Sequence, residues 1–182
     1  MDKRSLSELY VAELKDIYNA EQQLMKALPK LAKAAASDEL RQAFEDHLKE
    51  TKGQVVRLEA VCQMMDQSPK GKKCLGMEGL VKEAAEVIDE FEYPARDAGL
   101  ISAAQRVEHY EMAAYGSVIA YAELLGQSEA IPLLQASLAE EKQADRKLTE
   151  LSNGINAEAN VERANDGQSQ QVTRKLGTKR AA

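Results

Sequence analysis

Tryptophan is absent from this 182-residue chain, and phenylalanine (2), histidine (2), cysteine (2) and proline (4) are scarce. Each shortage excludes something. Cys62 and Cys74 form no metal or redox spacing, and so few cysteines fit a reducing cytosol. With only 10 glycines there is no P-loop or dinucleotide fingerprint, and no zinc-finger pattern occurs. No apolar run approaches the roughly 18 residues of a membrane span, so no membrane partner is expected. The opening residues, Met1 to Leu6, lead directly into amphipathic sequence without a signal-like apolar block. The expectation is a cytoplasmic protein. The net charge of −6 argues against a general nucleic-acid or anionic-membrane surface.

What is present points to helices. The chain is 44% hydrophobic and 30% charged, rich in Ala, Leu, Glu, Lys and Gln. A first long helix is expected from about Ser5 to Ala35, with Ser5 or Ser7 as N-cap and Glu8 completing a capping box. Its apolar stripe is Tyr10, Leu14, Ile17, Leu24, Leu28 and Leu31, and Pro29 predicts a kink. Ser37-Asp38 opens a second helix over roughly 38–66. Residues 67–76 read as a loop, 77–92 as a shorter amphipathic helix stopped by Pro94. A third long helix is expected over 96–125, ending at Gly126, and a fourth from Ser128 to about Ser152, ending at Asn153-Gly154. Two short connections and one long crossover give two antiparallel hairpins: an all-α, ferritin-like four-helix bundle over 1–152. Residues 153–182 are polar and end in Arg174, Lys175, Lys179 and Arg180, which reads as a flexible or docking tail.

The functional signal is acid on the core-facing stripes. The third long helix carries Asp97, Ile101, Ala104, Glu108, Glu111, Tyr115, Val118, Ala122 and Leu125 in steps of four and three. Glu21 fills the slot between Ile17 and Leu24. The second helix reads Leu40, Ala43, His47, Glu50, Gln54, Leu58, and the fourth reads Ile131, Leu134, Leu138, Glu141, Asp145, Leu148. A single acid on such a stripe is ordinarily a boundary residue that reaches solvent. Here the interruptions recur at one height: Glu21 lies 16 residues before Ser37 and Glu50 lies 13 after it, while Glu111 and Glu141 each lie 15 from Gly126. Similar distances from a hairpin turn put side chains at similar levels, which places Glu21 opposite Glu50 and Glu111 opposite Glu141.

An ionised carboxylate in a low-dielectric interior costs on the order of several kcal/mol. Six of them (Glu21, Glu50, Glu108, Glu111, Glu141, Asp145) would exceed a typical stability of about 5–15 kcal/mol. No basic residue interrupts the seams. Shared protons, internal water or bound cations remain. Two divalent ions among carboxylates and one or two imidazoles is an attested solution in four-helix bundles. Oxygen-rich donors with few nitrogens and no thiolate suit iron or manganese better than copper and disfavour structural zinc, and of the two iron is the favoured expectation.

The blocks Tyr18-Asn19-Ala20-Glu21-Gln22-Gln23-Leu24, His47-Leu48-Lys49-Glu50-Thr51, Lys73-Cys74-Leu75-Gly76-Met77-Glu78-Gly79-Leu80, Ala103 to Glu111, and Glu140 to Asp145 occur in that order. In this the chain resembles the YciE/YciF family of ferritin-like bacterial proteins over about residues 5–152. The resemblance implies a cytoplasmic, stress-associated homodimer with a rubrerythrin-like bundle and a di-metal centre.

One departure stands out. Ferritin-like di-iron sites usually carry Glu-x-x-His on two helices; here Gly53 follows Glu50 by three and Ala144 follows Glu141 by three. The reversed spacing His47-x-x-Glu50 makes His47 either a direct ligand or a partner that orients Glu50. His109 points off the seam. Asp145 is a candidate extra ligand and Gln54 a hydrogen-bond donor. Tyr115 and Tyr18 lie within a turn of the acids. Cys62 reads as core and Cys74 as a loop thiol.

In the leading functional reading, Glu50 and Glu141 bridge two ions about 3.5–4 Å apart, with Glu21 and Glu108 or Glu111 as terminal ligands, and dioxygen or peroxide is the substrate. Ferroxidase and manganese-catalase-like dismutation are both open. A non-catalytic helical scaffold with a hydrated polar core is the alternative. Nucleic acid, met through the basic tail, is the least supported partner.

Overall fold

The computed structural model describes residues 5–177, with side chains placed for residues 5–161. It contains α1 (Leu6–Ala34), α2 (Asp38–Met64), α3 (Leu75–Glu90), α4 (Ala95–Leu124) and α5 (Ala130–Gly177). Each start has a local cause. Ser5 accepts from the Glu8 N–H and Glu8 reaches back to the Ser5 N–H, so the capping box forms as read. Ser37 caps α2 through the Leu40 N–H. α1 continues through Pro29, which stands on its exposed side. Gly126 takes φ +69 between α4 and α5, a conformation that L side chains avoid.

Two hairpins, α1–α2 and α4–α5, pack so that α2 also meets α5 and α1 also meets α4. The ring therefore runs α1, α2, α5, α4. The α2–α4 connection carries α3, which lies against α4 and α1. This is the expected ferritin-like arrangement, and all the described elements are helical. α3 approaches α4 so closely that a Cβ on Gly99 would stand 2.6 Å from Val87 Cγ1. Asp97 closes the far end of the α1–α2 turn. Its carboxylate is fully buried and accepts from the N–H groups of Ala36 and Ser37 at 2.7–3.1 Å.

One boundary differs from the sequence reading. The fourth long helix does not stop at Asn153-Gly154: α5 runs on to Gly177. The continuation has partners, since Ile155 is buried in the apolar cluster that includes Leu148 and Leu100, and Tyr93 donates to Glu158. Burial of Ile155 outweighs the weak helix preference of Asn-Gly. The last basic residues of the expected tail, Lys179 and Arg180, lie outside the described residues.

The apolar core is in two parts. One gathers Leu24, Leu28, Leu40, Phe44, Leu100, Ile101 and Leu148; the other gathers Tyr10, Leu14, Ile17, Leu58, Tyr115, Val118 and Leu134. Between them lies a polar layer.

Candidate metal centre

Every long helix contributes to that layer from the middle of its buried face. Glu21 comes from α1; His47, Thr51 and Gln54 from α2; Glu108 and Glu111 from α4; Glu141 from α5, and all are buried. His47, Glu108, Glu111 and Glu141 each offer a ligating atom, and these four atoms lie within 4.8 Å of one another. Glu21 is fully buried beside them and is held by Tyr115, whose hydroxyl donates to Oε1 at 2.6 Å.

A recurring detail is that one atom of a ligand-type side chain is tied by a neighbour while its other atom makes no hydrogen bond. Tyr115 holds Glu21 Oε1, and Glu21 Oε2 is unpartnered. Gln54 donates to Glu141 Oε1, and Glu141 Oε2 accepts no hydrogen bond. His47 Nδ1 lies 3.3 Å from Glu50 Oε2, and its Nε2 lacks a hydrogen bond while standing 3.4 Å from Glu108 Oε1 and 3.7 Å from Glu141 Oε2. Glu111 is the extreme case: neither oxygen has a hydrogen-bond partner, and both are buried. The Thr51 hydroxyl donates to the His47 carbonyl at 2.8 Å, which fixes that turn of α2.

The electrostatics follow from this crowding. Burial pushes the Glu21 carboxyl up to about 7, against the opposing bond from Tyr115. Burial raises Glu108, with His47 opposing, and carries Glu141 and Glu111 well above the carboxylate range, with neighbouring glutamates adding to the effect. Burial works to lower His47, but Glu108 and the bond to Glu50 overcome it and lift the imidazole to about 9. Without an ion, burial thus favours protonation of Glu21, Glu111 and Glu141, while the carboxylates beside His47 favour a proton on its ring.

The structure brings together five of the seven residues singled out by sequence: Glu21, His47, Glu108, Glu111 and Glu141. The other two stand at the margins. Glu50, expected to face Glu21, has a side chain 37% exposed and meets the layer through His47. Asp145 lies 3.4 Å from the exposed His109 and accepts from Gln105 at 3.2 Å. Tyr18 donates to Glu59 rather than to Glu21.

Sequence reasoning missed a second polar group, on the α1–α3–α4 side. Tyr110 donates to Asp16 at 2.5 Å, its oxygen lies 2.9 Å from Cys74 Sγ, and Lys72 Nζ is 3.2 Å from Asp16. Cys74 is no loop thiol: it is buried, caps α3 through the Met77 N–H, and burial raises its pKa. None of these residues sits on the apolar stripe, so periodicity carried no sign of them. Arg57, which pairs with Glu140 and donates to Ser137 at 3.0 Å, escaped for the same reason.

Comparison with known proteins agrees with this architecture. The family model described as a domain of unknown function, DUF892, matches residues 5–160. Protein YciF of Escherichia coli K12 is 46% identical over 162 residues, covering 87% of this chain and 98% of YciF. The crystal structure of that E. coli stress protein superposes with a TM-score of 0.82 at 44% identity, covering 84% of this chain and 98% of the other. YcfI of Rhodopseudomonas palustris gives 0.79 at 42% identity, over 81% and 95% of the two chains. A Xanthomonas campestris protein at 20% identity, covering 88% and 99%, shares the fold with a TM-score of 0.69.

Proposed function

The chain belongs to the DUF892 family, and on that footing we propose that it is a stress-associated ferritin-like protein whose polar layer binds two divalent metal ions, iron ahead of manganese. The observation that carries this reading is the tied-and-free pattern. Glu21, Glu141 and His47 each have one atom fixed by Tyr115, Gln54 or Glu50 and the other left inside the layer, next to the wholly unpartnered Glu111. Partners that orient a ligand while sparing its donor atom are the usual supports of a metal site. The donors fit the group: carboxylate oxygens with one imidazole suit iron or manganese better than copper, and no thiolate lies among them.

Glu21, Glu108, Glu111 and Glu141 would hold the ions with His47, and Glu50 would join from the margin. When bound, such ions supply redox chemistry toward dioxygen or peroxide. The chain's own residues set the conditions. Tyr115 keeps Glu21 in place, Gln54 keeps Glu141, and His47 must release its proton before Nε2 can bind, so uptake of the ions releases protons. The same reading has the chain acting as a cytoplasmic homodimer.

The test is elemental analysis of protein purified without chelator, joined to thermal unfolding with and without added Fe(II) or Mn(II). About two Fe or Mn per chain and a raised melting temperature are expected. Metal-free protein whose melting is unmoved by either ion contradicts the reading and leaves a helical scaffold.

A further inference from the structure

We propose that the groove between α2 and α5 is the route by which cations reach the buried layer, and that Glu50 receives them at its inner end. The inference rests on the metal-binding reading above and adds how that site is reached. α2 and α5 are held together unevenly. On one side of the polar layer Arg57 pairs with Glu140 and donates to Ser137, and Gln54 spans to Glu141, which closes the seam. On the other side the lining residues include Ala43 from α2 and Ala144 from α5, whose methyl groups are too short to fill the gap. A cavity of about 680 Å³ results. Its lining on α2 extends from Asp38 to Glu50, a distance of about 18 Å along the helix. Phe44 and Leu148 contribute apolar surface.

The inner end is what makes this a route rather than a surface dent. His47, Glu50 and Glu108 all line the cavity. His47 Nε2 and Glu108 Oε2 are buried with no hydrogen-bond partner, so the groove ends against side chains whose enclosed donor atoms belong to the layer itself. Two other surface hollows, one beside Glu59 and Asp66 and one beside Arg106 and Tyr110, touch none of these residues. Glu50 suits a receiving role because it straddles the boundary. Its half-exposed carboxylate can meet a hydrated cation, while Oε2 already lies 3.3 Å from His47 Nδ1. A carboxylate still in contact with water holds an ion without the full desolvation cost met by the buried glutamates.

Stopped-flow Co(II) absorption with the full chain, freed of metal, tests the route. Ala144→Phe and Ala43→Leu narrow the groove without touching a donor atom. Each should slow Co(II) association by about tenfold or more while equilibrium affinity stays within about twofold of the parent. Glu50→Gln should likewise slow association. Circular dichroism and the equilibrium titration confirm folding of each variant, and Ala43→Leu gives the reading alone should Ala144→Phe lose helicity. Parental association rates in the narrowed variants overturn the route while leaving the metal site standing. A parent chain that takes up no Co(II) at all overturns the metal reading, and the route with it.

Discussion

Tyr115 and Glu21 meet across α4 and α1 at 2.6 Å, hydroxyl to carboxylate oxygen, with both side chains fully buried. The bond ties the polar layer to the apolar half of the core that contains Tyr115. Tyr115→Phe removes the donor and strands a buried acceptor. Unfolding of the metal-free variant by urea should show a loss of about 1–3 kcal/mol. An unchanged midpoint would mean that Glu21 has another partner.

Acid should stabilise the metal-free protein. Glu21 titrates at about 7 in the fold against 4.5 ordinarily, so between those values the folded state keeps a proton that the unfolded chain has released. Stability then falls as pH rises through that range. Glu108, Glu111 and Glu141 act in the same direction. His47, raised from 6.5 to about 9, contributes stability that is complete below its ordinary value and is lost as pH climbs through the raised one. Melting temperature of the metal-free chain should therefore decline steadily from about pH 5 to about pH 9. A flat or rising profile would contradict the protonated layer. With metal ions present the trend should weaken or reverse, because binding needs the deprotonated ligands.

Glu111 gives the opposite mutational sign from Tyr115. Its two oxygens find no hydrogen bond, and glutamates surround it. Glu111→Leu should stabilise the metal-free fold by about 1–3 kcal/mol, because it replaces a buried polar group that has no hydrogen-bond partner with apolar volume. The same substitution should sharply weaken metal uptake. A variant that is destabilised and still binds metal like the parent would remove Glu111 from the site.

The periodicity of the long helices was enough to place Glu21, His47, Glu108, Glu111 and Glu141 inside, because an acid in an apolar stripe has nowhere else to point. Counting from the turns was less reliable for Glu50. Spacing from a turn sets height along the bundle but not rotation about the helix axis, and Glu50 is rotated toward the α2–α5 groove, so that His47 takes the inward place. The continuation of α5 was illegible because Asn153-Gly154 is a local stop signal overruled by the tertiary burial of Ile155. The Asp16–Tyr110–Cys74 group was hidden for a related reason: its members come from three parts of the chain and from flanking positions that no single helix pattern marks.

That burial of Ile155 has a measurable consequence. Ile155→Ala should cost about 2–4 kcal/mol in chemical denaturation if α5 contributes to the core beyond residue 152. A change within about 0.5 kcal/mol, the range of ordinary surface substitutions, would return the segment to the status of a tail.

The contact of α3 with α4 is similarly exposed to a single methyl group. A Cβ at residue 99 would stand 2.6 Å from Val87 Cγ1, too close for either rigid group to accommodate without movement. Gly99→Ala should destabilise the protein by about 1–3 kcal/mol despite the better helix propensity of alanine. Gly99→Ala combined with Val87→Ala should recover part of that loss, which thermal unfolding of the pair would read.

Whether cations neutralise the layer of glutamates between the two apolar halves of the core is decided by crystals grown from chelator-free protein. Diffraction is to be measured on both sides of the iron and manganese absorption edges. Anomalous density is expected within the space enclosed by Glu21, His47, Glu108, Glu111 and Glu141, disappearing below the edge of the bound element. A refined structure from such protein with no anomalous signal there, and with water or paired carboxyls filling the layer, would show that protons and not metal ions hold it together.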